Sequence, residues 1–265
     1  MGKTIGIVSL KGGVGKTSSV VSLGDAISGF GKKVLLVDGN LSAPNLGLHL
    51  NLFNPDVTLH HVLNRSANMK DAIYNVGNFD VVPASISTNL QVNPLKLKDK
   101  LWYYKNKYDI ILIDSSPSLN DETLASMLAS DEIFVVTTPD YPTLSTTLKA
   151  IKLAKQRGTI IDGLILNKVH NKNFELSLDD IEKTSETPVM AVIPYDINML
   201  RAVSEFTPST ALKPKSKASN EYKRLAAALI GEKYKPAKMK NFFRWVNPKR
   251  QDINREVFYD RVFRD

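Results

Sequence analysis

Between residues 8 and 18 the chain reads Val-Ser-Leu-Lys-Gly-Gly-Val-Gly-Lys-Thr-Ser, set between an apolar run at 4–10 and a helical pattern from residue 16. Strand, glycine loop and helix in that order leave little freedom in what such a chain folds into. Glycines let successive backbone N–H groups turn toward one anion, and the helix start adds its positive end. Lys16 is then placed to bridge β- and γ-phosphates, and the Thr17 hydroxyl to ligate Mg²⁺. The expected phosphate-binding residues are Gly12, Gly13, Val14, Gly15, Lys16, Thr17 and Ser18. The Walker A pattern Gly-x-x-x-x-Gly-Lys-Thr requires a glycine at position 10, where this chain has Leu10.

The rest of the main part follows the same alternation. Apolar runs at 4–10, 33–38, 79–83, 108–114, 132–138, 160–167 and 188–194 predict strands. Most are continuous, as parallel strands covered on both faces must be. Helical patterns lie between them at 16–29, 58–65, 69–74, 95–106, 121–129, 143–157, 177–184, 199–206 and 219–231. The fold class expected is α/β, a doubly wound and mostly parallel sheet with helices on both faces, carrying a basic amphipathic C-terminal extension. Ligands of such sheets sit beyond the carboxyl ends of the strands. The rhythm stops near 231–236, which divides the chain into an ATPase domain at 1–232 and a tail at 233–265. A second nucleotide signal is the run at 108–114, Tyr-Asp-Ile-Ile-Leu-Ile-Asp. It ends in Asp114 as a Walker B strand does, where a carboxylate holds Mg²⁺ through water opposite Thr17.

The loop with its extra Lys11 resembles the deviant Walker A loop of the MinD/ParA family of ATPases, and Lys11 matches that family's signature lysine. The likeness runs from about residue 3 to 231. It includes the stretches TLHHVLNRSANMKDAIY, VTTPDYPTLSTTLKAIKLA and NFELSLDDIE, which look like archaeal-type MinD relatives. The resemblance implies a homodimer closed around ATP and Mg²⁺, with Lys11 reaching the phosphates bound in the opposite protomer. A cation there would stabilise charge developing on the transferring phosphoryl group. It further implies that Asp38 stands in the outer sphere of Mg²⁺ and that 115–120 senses the γ-phosphate. It implies that Asn167, Pro194 and Asp196 hold adenine, although capping a strand end accounts for Asn167 equally well by spacing alone. The chain departs from the family twice. Asn40 stands where the family usually has an aspartate that positions the attacking water, so slow hydrolysis is expected. Residues 143–147 read Thr-Leu-Ser-Thr-Thr where MinD proteins often carry an aspartate used in partner binding, so the protein activator or cargo is expected to differ.

Net charge is +8, but residues 233–265 hold ten Lys/Arg against four acids, which leaves the body near neutral. In the tail, Met239, Phe242, Phe243 and Val246 share one helical face before Pro248. A second pattern, Ile253, Val257, Tyr259 and Phe263, is interleaved with Arg255, Arg261 and Arg264. Basic residues with large aromatics fit an interfacial membrane anchor over 238–263. Docking on the protein's own core or on a partner and, less favoured, nucleic-acid binding stay open. With no cysteine, thiolate metal sites are excluded and the related metal-cluster carriers are disfavoured. No apolar stretch has bilayer length. The expected setting is cytoplasmic, with peripheral attachment to the inner face of the cell membrane if the anchor reading holds. The function expected is a MinD-type positioning ATPase. The alternatives are a ParA-type DNA-partition ATPase and a near-inactive scaffold in which ATP only glues the dimer.

Overall fold

The computed structural model describes residues 1–88, 90–234 and 249–264. Eight strands form one sheet: β1 (Lys3–Val8), β2 (Val34–Asp38), β3 (Tyr74–Val76), β4 (Phe79–Val82), β5 (Ile110–Asp114), β6 (Glu132–Thr137), β7 (Ile160–Val169) and β8 (Val189–Pro194). Their order is β3-β4-β2-β5-β1-β6-β7-β8. All neighbours pair parallel except β3 and β4. The helices are α1 (Lys16–Ser28), α2 (Leu59–Asn64), α3 (Leu97–Trp102), α4 (Asp121–Ala129), α5 (Tyr141–Gln156), α6 (Leu178–Ser185), α7 (Ile197–Ser204), α8 (Ser209–Leu212), α9 (Lys217–Leu229) and α10 (Arg250–Phe263).

Alternation along each strand sends neighbouring side chains to opposite faces. Ile5, Ile7, Leu36 and Leu112 pack with α1 and α9 on one side. Leu35, Val37, Ile111 and Ile113 pack with α2 and α3 on the other, and Val8, Ile133, Val135 and Leu164 pack with α5 and α6. Both faces are covered, so the central strands are buried along their whole length. Short polar side chains start the helices. Asn120 accepts from Thr123 N–H at the head of α4, Asp140 from Thr143 N–H at α5, and Ser216 from Ser219 N–H at α9.

Three parts differ from the sequence reading. The helix expected at 69–74 is one 3-10 turn, Met69–Ala72, after which Tyr74 enters β3. Gly77, with φ +67°, makes the tight turn into β4. Residues 209–212 form the unforeseen short helix α8. In the tail, the first amphipathic stretch, 239–246, lies outside the described residues. The second forms α10, which lies against the edge strand β8 and against α9. Phe258 is buried there in the main core. Arg255 donates to the Met190 carbonyl at 2.9 Å and Asn254 to the Val189 carbonyl at 2.8 Å. Ion pairs tie Arg250 to Glu182 of α6 and Arg261 to Asp162 of β7, both at 2.9 Å. The face that docks is largely polar, while Ile253 and Val257 stay exposed. Thus 250–263 is a strap on the protein's own sheet edge, and of the stretch expected to reach a membrane only the part before residue 249 is left outside the described fold.

Candidate nucleotide site

The loop after β1 lies between the sheet's two diverging halves, since β1 pairs with β5 on one side and β6 on the other. Gly13 has φ +76° and Gly15 φ +92°, a conformation that L side chains rarely adopt. A Cβ at Gly15 would also run into the Asn167 amide. Asn167 braces the loop by donating to the Val14 carbonyl at 2.8 Å, while its own oxygen accepts from Lys168 N–H at 2.9 Å. Lys168 Nζ donates to the Gly13 carbonyl at 2.6 Å. With both ends of its amide engaged, Asn167 acts in this structure on the loop.

Beneath the loop two carboxylates face each other. The β2–β5 register places Asp38 beside Asp114, and both are buried. Burial raises the Asp38 pKa to about 8, helped by repulsion from Asp114 and opposed by N–H groups of Leu46, Asn40 and Asn45. Burial also raises Asp114, against the opposing pull of Lys16 and the hydroxyl of Thr17, which donates to it at 2.6 Å. Asp114 Oδ1 is buried with no hydrogen-bond partner among the described residues. Two buried acids, an orphan oxygen and a hydroxyl at one point fit a hydrated divalent cation. Among the described residues no group of three or more His, Asp or Glu is placed to hold a metal.

Above them opens a cavity of about 750 Å³. Its lining contains Lys11, Gly12, Gly13, Val14, Gly15, Lys16, Thr17, Ser18, Asn40, Asn167, Pro194 and Asp196, so the expected residues converge, with Asp38 and Asp114 in the floor below. The Asp196 carboxylate is engaged as the cap of α7, accepting from Asn198 N–H at 2.9 Å. The sequence reading missed Lys168 and the far wall of Tyr195, Met199, Leu200 and Val203. Tyr195 stacks on His170 with centroids 4.7 Å apart. The local signal for Lys168 was its place directly after Asn167.

Lys11 is held within its own chain. Its Nζ donates to Thr143 Oγ1 at 2.6 Å and to Asp140 Oδ1 at 3.3 Å. Burial alone would push the Asp140 carboxyl up. Hydrogen bonds from Thr138 and Thr143, with the charge of Lys11, outweigh it and hold the group below its ordinary value.

A family model described as an AAA domain matches residues 2–161. An uncharacterised ATP-binding protein of Methanocaldococcus jannaschii is 37% identical over 237 residues, spanning 88% of this chain and 90% of its own. The crystal structure of the cell division ATPase MinD of Pyrococcus furiosus superposes with a TM-score of 0.81 at 37% identity, covering 85% of this chain and 97% of its own. The septum site-determining protein MinD of Pyrococcus horikoshii, complexed with Mg-ADP, gives 0.82 at 34% identity, covering 86% and 96%.

Proposed function

The chain belongs to the MinD/ParA family of P-loop ATPases, which use ATP and Mg²⁺, and from that premise we propose that it is an ATP-dependent dimerising ATPase of the MinD type with slow intrinsic turnover. The observation that carries this is the in-register pair Asp38 and Asp114 under Thr17 and Lys16, two buried acids with one cation between them beside a phosphate cradle.

The chain's own residues divide the work. Backbone N–H groups of 12–17 surround the phosphates, and Lys16 bridges the β- and γ-groups. Thr17, with Asp38 and Asp114 behind it, would hold Mg²⁺, which when bound would neutralise charge on the phosphate oxygens. Asn40 is buried and donates its Nδ2 to the Ala43 carbonyl, and its Oδ1, also buried, has no partner among the described residues. That oxygen accepts a hydrogen bond from the attacking water but takes its proton poorly, hence slow turnover. Lys11 leaves Asp140 and Thr143 to reach the phosphates of the second protomer, which makes pairing depend on the triphosphate. Adenine lies against Tyr195, Met199 and Leu200 near Asn167, Pro194 and Asp196.

Dimerisation doubles any surface anchor on the chain, so a weak anchor at 238–248 becomes an ATP-controlled one that positions or recruits cellular components at a membrane. Asn40 favours one second reading, a scaffold in which ATP serves only as dimer glue.

Calorimetry with Mg·ATP and Mg·ADP, paired with phosphate release, tests the proposal. Binding of both nucleotides with slow release supports it, and release absent over hours leaves the scaffold. No binding of either nucleotide removes both.

A further inference from the structure

The turn that carries Asn40 is fastened from behind by residues far away in sequence. Ser42 Oγ donates to Glu122 Oε1 on the first turn of α4. The Glu122 side chain is buried, and its other oxygen has no hydrogen-bond partner among the described residues. On the other side His60 Nδ1 accepts from Ser85 N–H at 3.1 Å, and the same ring is bonded to the Leu41 backbone. Burial, its largest influence, holds His60 below its ordinary pKa. A neutral ring with Nδ1 accepting keeps its proton on Nε2, for the Leu41 carbonyl. Inside the turn Asn40 and Asn45 both donate to the Ala43 carbonyl. The result is an amide whose donor is used inward and whose acceptor is left over.

Glu122 is not the helix cap, a role Asn120 fills. Among the described residues its carboxyl makes one hydrogen bond, the one to Ser42. It joins two loops: 39–46 after Asp38, and α4, which follows directly on 115–120 after Asp114.

We propose that Glu122 is a positioning residue for hydrolysis, which through Ser42 locks the 40–43 turn and holds Asn40, in the lining of the nucleotide cavity, where it takes the attacking water. This rests on the reading that the chain hydrolyses ATP. Position 40 is an amide, and the hydrogen-bond acceptor that steadies the loop sits at its back, on Glu122.

The test compares E122A, E122Q and S42A by phosphate release at saturating Mg·ATP, KM for ATP, and amide exchange over 40–46. Displacing a group that orients a reactant costs about ten- to a hundredfold in rate. E122A and S42A should each lose about that much, with KM within about twofold. Exchange over 40–46 should rise in both, and the double variant should be no slower than either single one. E122Q keeps most of the rate, because its amide oxygen accepts the same hydroxyl. E122Q as slow as E122A would overturn the proposal, since the carboxylate would then act by its charge or as a base. An unchanged rate in S42A or unchanged exchange would overturn it as well. If E122A does not fold, S42A and E122Q decide. A wild-type chain that binds Mg·ATP and never hydrolyses it sinks the hydrolysis reading alone. The clamp is then judged by exchange, with protection lost in S42A supporting it and protection kept overturning it.

Discussion

Two places in this molecule bury a pair of acids, and they are treated in opposite ways. At the carboxyl ends of β2 and β5, Asp38 faces Asp114. At the amino ends of β6 and β7, Glu132 meets Asp162, and burial with the nearby Asp162 raises Glu132 to about 8. The second pair is answered from within the chain. Lys3 binds Glu132 at 2.6 Å, and Arg261 of α10 binds Asp162 at 2.9 Å. Phe258 lies over them, with the cations of Lys3 and Arg261 5.8 and 5.4 Å from its ring centroid. Glu132 Oε1 and Asp162 Oδ2, like Asp114 Oδ1, have no hydrogen-bond partner among the described residues, so the difference lies in the cations: the first pair has Lys16 alone, beside the Thr17 hydroxyl and the N–H groups of Leu46, Asn40 and Asn45. The acids under the strap have one cation each, whereas the pair beneath the cavity has one cation for two acids.

The largest effect that tests this contrast is expected at the phosphate loop. Lys16→Ala should slow phosphate release by about two to three orders of magnitude and abolish Mg·ATP binding in calorimetry, while melting of the nucleotide-free chain barely moves. The reverse pattern is expected at the strap. Arg255 is buried between the Met190 carbonyl, Glu221 and Asp252. Arg255→Ala should cost about 3 kcal/mol in urea unfolding and leave ATP affinity unchanged; weakened ATP binding in a folded variant would blur the two regions into one.

A smaller effect concerns pH. Asp38 has a folded pKa raised to about 8, so the folded chain holds its proton more tightly than the unfolded one. Stability present at low pH is therefore lost as pH rises from the ordinary carboxylate range toward 8. A cation needs the ionised acids. The gain in melting temperature from Mg·ADP should be larger at pH 8.5 than at pH 6.5, and Asp114→Asn should remove that difference. An equal gain at both values would mean that the pair does not face the metal. The smallest effect lies at position 40. Asn40→Asp supplies a base and should raise turnover several-fold, up to about tenfold, although its carboxylate then faces the Ala43 carbonyl. An unchanged or lower rate takes Asn40 out of the reaction.

How far the sequence could be read follows from how local each signal is. Strands β1, β2, β5 and β6 were plain because burial on both faces leaves continuous apolar runs. The phosphate loop was plain because glycines, Lys16 and Thr17 are contiguous. Strand β3 was missed because Tyr74–Val76 is too short for a period, although Gly77-Asn78 between the strands was a hairpin signal. The tail was legible only in part. Its apolar positions Ile253 and Val257 turned out exposed, and Gln251 and Arg255 buried. Its docking is decided by carbonyls and acids on β7, β8, α6 and α9, distant in sequence. Glu122 was invisible for the same reason, being 80 residues from Ser42.

Solution mass under different nucleotides bears most directly on whether the triphosphate controls pairing. Light scattering on the full chain should give twice the 29.4 kDa of one protomer in Mg·ATP, one protomer in Mg·ADP, and one protomer for Lys11→Ala in either. A mass indifferent to the nucleotide, or a Lys11→Ala chain that still pairs in Mg·ATP, would contradict it.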